Sequence, residues 1–145
     1  NGEKMMSTSM TDINIMDVLL PVKRIPIASP RTIFKESMEI MGKFNLGILC
    51  IVDDTRKIRG IITDGDIRRI MLKSQKPFAA LFADDAIVHA NTRPLSIQIE
   101  SKVSEAISVM EDNKIWDLPV VNQSNQLEGL LHLHPIVKHL MNGLR

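Results

Sequence analysis

A chain of 145 residues with 44% hydrophobic and 24% charged side chains can bury a core, which excludes a disordered polyelectrolyte. A formal net charge of +1 excludes a protein built mainly to coat nucleic acid. No apolar run approaches the ~20 residues of a membrane-spanning helix. The single cysteine, Cys50, excludes an internal disulfide; lying in the apolar run from Ile48 to Val52, it reads as a buried, inert thiol. With no signal-peptide pattern at its start, the chain is expected in a reducing cytoplasm.

Residues 1–12 lack sustained periodicity and read as a cloning remnant plus a linker. From Ile13 onward the elements come in order. A short strand, Ile25-Pro26-Ile27, precedes a helix with Thr32 as its expected N-cap and Phe34, Met38 and Met41 on one stripe. Two β-rich runs follow, Gly47 to Asp53 and Ile58 to Thr63, joined by a polar turn at residues 54–57. A helix from Asp66 to Leu72 closes the set. The same order then returns. Ile97-Gln98-Ile99 leads to Ser101 as a second expected N-cap and to Val103, Ile107 and Met110 at the same spacing. Strands Leu118 to Asn122 and Gln126 to His132 lead to a helix from Pro135 to Met141.

An offset of 69 residues superposes the two sets from Thr32 and Ser101 onward, and the short strands before them match with the second copy shifted by about three residues. Thr32 maps to Ser101, Phe34 to Val103, Glu36 to Glu105, Met41 to Met110, Gly60 to Gly129 and Ile67 to Ile136. Each set is β-α-β-β-α and too small to close a core alone. The expected fold is therefore α+β, two pseudo-symmetric units sharing one core, residues 13–82 and 83–145. Clefts between such units suit ligands.

The most informative stretch is Gly60 to Arg69, where an apolar strand ends at Thr63 and a helix follows at once. Thr63 or Asp64 is placed to cap that helix, whose N-terminus suits a phosphate. Asp66, three residues after Thr63, would point from the first turn into the same space, where a carboxylate can accept from both hydroxyls of a ribose. The plainer alternative is that Thr63 caps the helix and Asp66 improves its first turn. Of Arg68 and Arg69, one can reach a phosphate while the other stays solvated. The 69-residue offset turns Thr63 into His132 and Asp66 into Pro135, so the second set keeps the glycine and strand but loses this chemistry.

Other residues carry less. His132 and His134 alternate on a strand end, but His139 follows five residues on, not a same-face helical spacing, and no cysteine lies near, so no metal site is expected. Asp64 and Asp66 alone would hold Mg²⁺ only weakly. Trp116, the one tryptophan, reads as a base-stacking, interface or core residue. No nucleophile elbow, P-loop or G-x-G-x-x-G occurs, and no catalytic residue is expected.

Glycine, two apolar residues, threonine, and aspartate three residues on, all following a strand, resemble the signature of CBS domains, regulatory modules that usually occur in tandem pairs. Thr63-Asp64-Gly65-Asp66-Ile67-Arg68-Arg69 is similar to the first CBS unit of bacterial arabinose-5-phosphate isomerases and also resembles CBS pairs attached to some sugar nucleotidyltransferases. The resemblance covers residues 13–145. It implies a tandem CBS pair whose nucleotide-binding residues are Thr63, Asp64, Gly65, Asp66, Arg68 and Ile27. It also implies an adenine nucleotide or CMP-sugar as regulatory ligand, no required cofactor, and a homodimer at least. The preferred expectation is a non-catalytic module that tunes an arabinose-5-phosphate isomerase of 3-deoxy-octulosonate, lipopolysaccharide or capsule biosynthesis, with the isomerase domain N-terminal to it. Alternatives are the CBS pair of a sugar nucleotidyltransferase and a ligand-free dimerisation module. Isomerases carry the pair last and those transferases carry it first, which favours the isomerase.

Overall fold

The computed structural model describes residues 13–133. The expected helix from Pro135 to Met141 lies outside them. In chain order the elements are α1 (Ile15–Val18), β1 (Leu20–Pro21), β2 (Ile27–Ala28), α2 (Phe34–Phe44), β3 (Ile48–Val52), β4 (Ile58–Thr63), α3 (Asp64–Lys73), α4 (Phe78–Phe82), β5 (Ile97–Gln98), α5 (Val103–Asn113), β6 (Asp117–Val121) and β7 (Leu127–His132). Short 3₁₀ turns occupy Val22–Arg24 and Ala86–His89.

The described chain divides into two compact units. An N-proximal unit takes residues 22–94 with 125–127; a C-proximal unit takes 13–21, 95–124 and 128–133. In the first, β2 lies parallel to β3, and β3 runs antiparallel to β4 with Ile48 opposite Thr63. In the second, β5 lies parallel to β6, and β1 runs antiparallel to β7, giving the order β1-β7-β6-β5.

The repeat is conformational as well as compositional. Four non-glycine residues among those described have positive φ, and they form two pairs at the 69-residue offset: Asn45 with Lys114, and Arg56 with Asn125. Asn45 and Lys114 are left-handed C-caps of α2 and α5. Arg56 and Asn125 turn the β3–β4 and β6–β7 hairpins. The helix starts differ from the sequence reading. Ile33 and Lys102 are the N-caps, without a side-chain cap bond. The Thr32 hydroxyl instead accepts the Ser29 N–H at 3.0 Å, tying the loop before α2 to itself.

Buried side chains gather in one cluster per unit. Phe34, Met41, Leu49, Ile51, Ile62 and Leu81 pack together in the N-proximal unit; Val103, Ala106, Met110, Leu118, Val120 and Leu131 do so in the C-proximal one. Each fully buried aliphatic or aromatic chain contributes roughly 1.5–3 kcal/mol. Cys50 is buried on β3, where an inert thiol was expected.

The signature glycines have a steric reason. At Gly129, Pro21 of β1 lies directly opposite, and a Cβ would collide with the Leu20 carbonyl and come within 2.6 Å of the Leu19 side chain. A Cβ at Gly60 would come within 3.1 Å of both the Ala90 side chain and the Asn91 carbonyl, beside the bridge from Ile61 to Asn91. In both units the segment just ahead of a repeat is laid on the last strand of the other repeat, over a residue without a side chain.

Gly129→Ala is expected to lower stability by about 3 kcal/mol, the upper end of overpacking costs, because backbone must move. Gly42→Ala, in α2 with nothing within 4 Å of the added carbon, should raise it by about 0.5 kcal/mol. Denaturant midpoints of the two variants measure both, and equal shifts would refute the steric account.

Candidate functional site

Strand β4 stays extended through Thr63 (φ −106°, ψ 166°), and α3 starts at Asp64. The junction is a reciprocal capping box: the Thr63 hydroxyl accepts the Asp66 N–H at 3.2 Å, and Asp66 Oδ2 accepts the Thr63 N–H at 2.9 Å. Of the two capping candidates in the sequence, Thr63 is the cap. Asp66 Oδ1 accepts from Arg69 Nη2, one turn further along the helix. Thr63, Asp66 and Arg69 therefore form one bonded group, in which the carboxylate is aimed by a backbone donor on one side and a guanidinium on the other.

The remaining expected site residues are not all gathered at this group: Asp64 lines a different hollow from Asp66, and Ile27 stands on β2. Asp64 donates its N–H to the Gly47 carbonyl at 3.0 Å, and its carboxylate sits where a Gly47 side chain would be, 2.7 Å from that Cβ position. Gly65 follows in the first turn, where a Cβ would make only ordinary contacts, 3.5 Å from Arg69 and 3.8 Å from Thr63. Arg68 is exposed, and no hydrogen bond or ion pair joins it to Asp66 among the described residues. Ile27 is half-buried on β2, paired with Cys50.

Two hollows flank α3. One, of about 420 Å³, is lined by Asp66, Arg69, Ile70 and Lys73 of α3, by Ser74 and Leu81, and by His89. The other, of about 410 Å³, is lined by Met38, Met41, Asn45, Gly47, Asp64 and Ile67. The C-proximal unit has a counterpart of the second at the same offset, also about 410 Å³, in which Trp116 replaces Gly47 and Leu133 replaces Asp64. Trp116 is 68% exposed there, so a core role is ruled out for it. At the position matching Thr63, His132 turns its Nδ1 to Asp117 Oδ1 at 2.7 Å. The C-proximal unit thus holds no threonine–aspartate box at that strand end. Among the described residues no group of three His, Cys, Asp or Glu side chains could hold a metal, and His134 and His139 lie outside them.

A family model of the CBS domain matches residues 15–73 and again residues 85–142. The chain belongs to the CBS domain family. Among curated relatives, an uncharacterized protein of Helicobacter pylori is 31% identical over 122 residues, covering 83% of this chain and 35% of its own length. The arabinose 5-phosphate isomerase KdsD of Pseudomonas aeruginosa is 28% identical over 126 residues, covering 87% and 37%. The chain thus spans about a third of the length of these relatives. The structure of CBSX2 in complex with AMP superposes with a TM-score of 0.80 at 20% identity, covering 92% of this chain and 99% of that one. That of CbpB in complex with c-di-AMP superposes at 0.80 and 17% identity, covering 99% and 93%. The tandem CBS fold expected from the sequence is the fold observed.

The CBS junction has neighbours that sequence reading missed. The His89 ring packs against the buried Phe34 ring at a tilt of 54°, centroids 5.4 Å apart, and its Nε2 lies 2.9 Å from Asp84 Oδ2. The same carboxylate oxygen accepts from Lys76 Nζ at 2.7 Å. Main-chain bonds from Phe34 N to Asp84 O and from Ala86 N to Thr32 O, 2.8 Å each, lock this loop against the start of α2. Asp84 and His89 lie some 20 residues beyond the motif in an irregular stretch, so no periodicity marks them. No helix of the described residues is long and apolar enough to cross a membrane.

The Lys76 ammonium, and then His89, hold the Asp84 carboxyl below its ordinary pKa of 3.8. A carboxyl depressed on folding stabilises the native state above its unfolded pKa, and that contribution disappears as pH falls through the folded one. Asp84→Asn should therefore melt below the unaltered chain at pH 7, with the gap narrowing as pH drops below 3.8. Melting temperatures across pH 2–7 give the answer; a gap constant over that range would remove Asp84 from the acid response.

Proposed function

We propose that this chain is a non-catalytic regulatory module that binds a nucleotide or nucleotide-sugar at the Thr63–Asp66 junction. The observation that carries the reading is the Asp66 carboxylate, held by the Thr63 N–H and Arg69 at the rim of a hollow of about 420 Å³. Pockets of 300–1,000 Å³ suit small ligands. Each carboxylate oxygen has a lone pair left after its protein bond, so Asp66 can still accept from a ribose diol. AMP and c-di-AMP in complexes of two proteins with this fold favour an adenine nucleotide, and a CMP-sugar is the alternative ligand. Thr63, Asp64, Gly65, Asp66, Arg68 and Ile27 are the residues assigned to that site.

The attached enzyme, on this reading, is an arabinose 5-phosphate isomerase whose catalytic domain stands N-terminal to the module; the match to KdsD supports it. The module works as a homodimer. The exposed Trp116, in an apolar hollow with Ile107, Met110 and Ile115, gives a second copy a surface to cover. Light scattering at micromolar concentration should return twice the 16.3 kDa chain mass or more.

Ligand choice is tested by thermal shift with AMP, ADP, ATP, CMP and a CMP-sugar. A ligand of the native state at 100 times its Kd adds roughly 2.7 kcal/mol. No shift with any of the five would leave the ligand-free dimerisation role in its place. Asp66→Asn keeps an oxygen to accept the Thr63 N–H and so keeps the cap, but loses the charge. It removes two charge-assisted bonds to the diol, each worth roughly 1.5–3 kcal/mol, so titration calorimetry should show affinity down at least tenfold with the fold unchanged. Unaltered affinity would move the ligand away from this carboxylate.

A further inference from the structure

The geometry points to a phosphate subsite on the flank of α3, formed by Lys73 beside the His89 ring, that recognises a phosphate ester bearing a vicinal diol. This rests on the reading of Asp66 as the diol acceptor and extends it to the charged end of the ligand.

The N-terminus of α3 would be the usual place for a phosphate. Here it is poorly suited. The Asp64 N–H is bonded to Gly47 and the Asp66 N–H to Thr63, and the carboxylates of Asp64 and Asp66 stand in that same first turn. Two negative charges beside the available donors repel a phosphate and cancel the favourable dipole. The anion needs a cation elsewhere within reach of the diol.

The hollow supplies one. Asp66, Arg69, Ile70 and Lys73 fall on one helical stripe and line it together with Leu81 and His89. Arg69 is already paired with Asp66. Lys73 makes no ion pair among the described residues. Its side chain leaves the helix tilted towards the N-terminus, hence towards Asp66, which stands about 10 Å away along the axis. His89 completes the wall. Its Nε2 faces Asp84, and Nδ1 has no hydrogen-bond partner among the described residues. Phe34 and the Lys76–Asp84 pair fix its ring from behind. Thus one end of the hollow offers a carboxylate for hydroxyls and the other the Lys73 ammonium for an anion, with the His89 ring as a wall and Ile70 and Leu81 as apolar floor. A phosphorylated sugar or nucleoside matches this polarity; an uncharged nucleoside uses only half of it.

The test compares AMP with adenosine by calorimetry on the unaltered chain, Lys73→Met and Lys43→Met, the last an exposed lysine of α2 that changes net charge equally. Inorganic phosphate is titrated in parallel while backbone amide resonances are followed. AMP should bind at least tenfold tighter than adenosine, as one charge-assisted contact implies. Lys73→Met should erase most of that advantage and Lys43→Met should keep it, and phosphate should move the amides of Lys73 and His89. Equal losses for AMP and adenosine in Lys73→Met, no loss, or phosphate shifts confined to Asp64–Asp66 would overturn the subsite even with nucleotide binding intact. If neither AMP nor adenosine binds while phosphate moves Lys73 and His89 only when Lys73 is present, the nucleotide reading falls and the anion subsite stands.

Discussion

Two hydrogen bonds between Thr63 and Asp66 decide where β4 stops and α3 begins. A strand and a helix that share a residue boundary leave unpaired N–H groups at the join, and here one side chain from each element satisfies the backbone of the other. Everything near the candidate site depends on that closure. It sets the rotation of α3 and with it the stripe from Asp66 to Lys73. It also directs Asp64 into the hollow beside Gly47 and separates it from Asp66, although only two positions divide them. Arg69 then secures the carboxylate from the helix side.

The sequence repeat was legible because packing enforces it twice. Apolar residues at helical spacing, the hairpin lengths and even the positive-φ positions Asn45, Arg56, Lys114 and Asn125 recur at one offset. Strand β4 ends where the pattern ends, at Thr63. The helix caps were not legible at Thr32 and Ser101. A hydroxyl near a helix start has several backbone groups to choose from, and Thr32 is engaged by Ser29. Arg69 and Arg68 cannot be ranked by composition; only the helical rotation fixed by the cap puts the former beside Asp66. His89 and Asp84 sit in an irregular stretch and come to α2 through main-chain bonds that no side-chain pattern announces.

Chemical inequality between the units follows from a handful of exchanges on a common frame. Gly47 and Asp64 give one hollow a polar lining; Trp116 and Leu133 give its counterpart an apolar one. Thr63 serves a helix cap, whereas His132 in the matching place is turned to Asp117. The architecture repeats, and these exchanges leave a polar lining in one unit and an apolar lining in the other.

The glycines at 60 and 129 carry an implication for how such a chain can be taken apart. Because residues 19–21 lie on the last strand of the second repeat, and residues 87–91 on that of the first, sequence repeats and folded bodies do not coincide. Severing the chain between the repeats would strip each of a backbone partner and leave an open, glycine-weakened sheet edge of the kind that recruits foreign strands. Inheritance of this module is therefore favoured as a pair: a single repeat transplanted into another protein would arrive without the backbone partner that the other repeat supplies to its last strand.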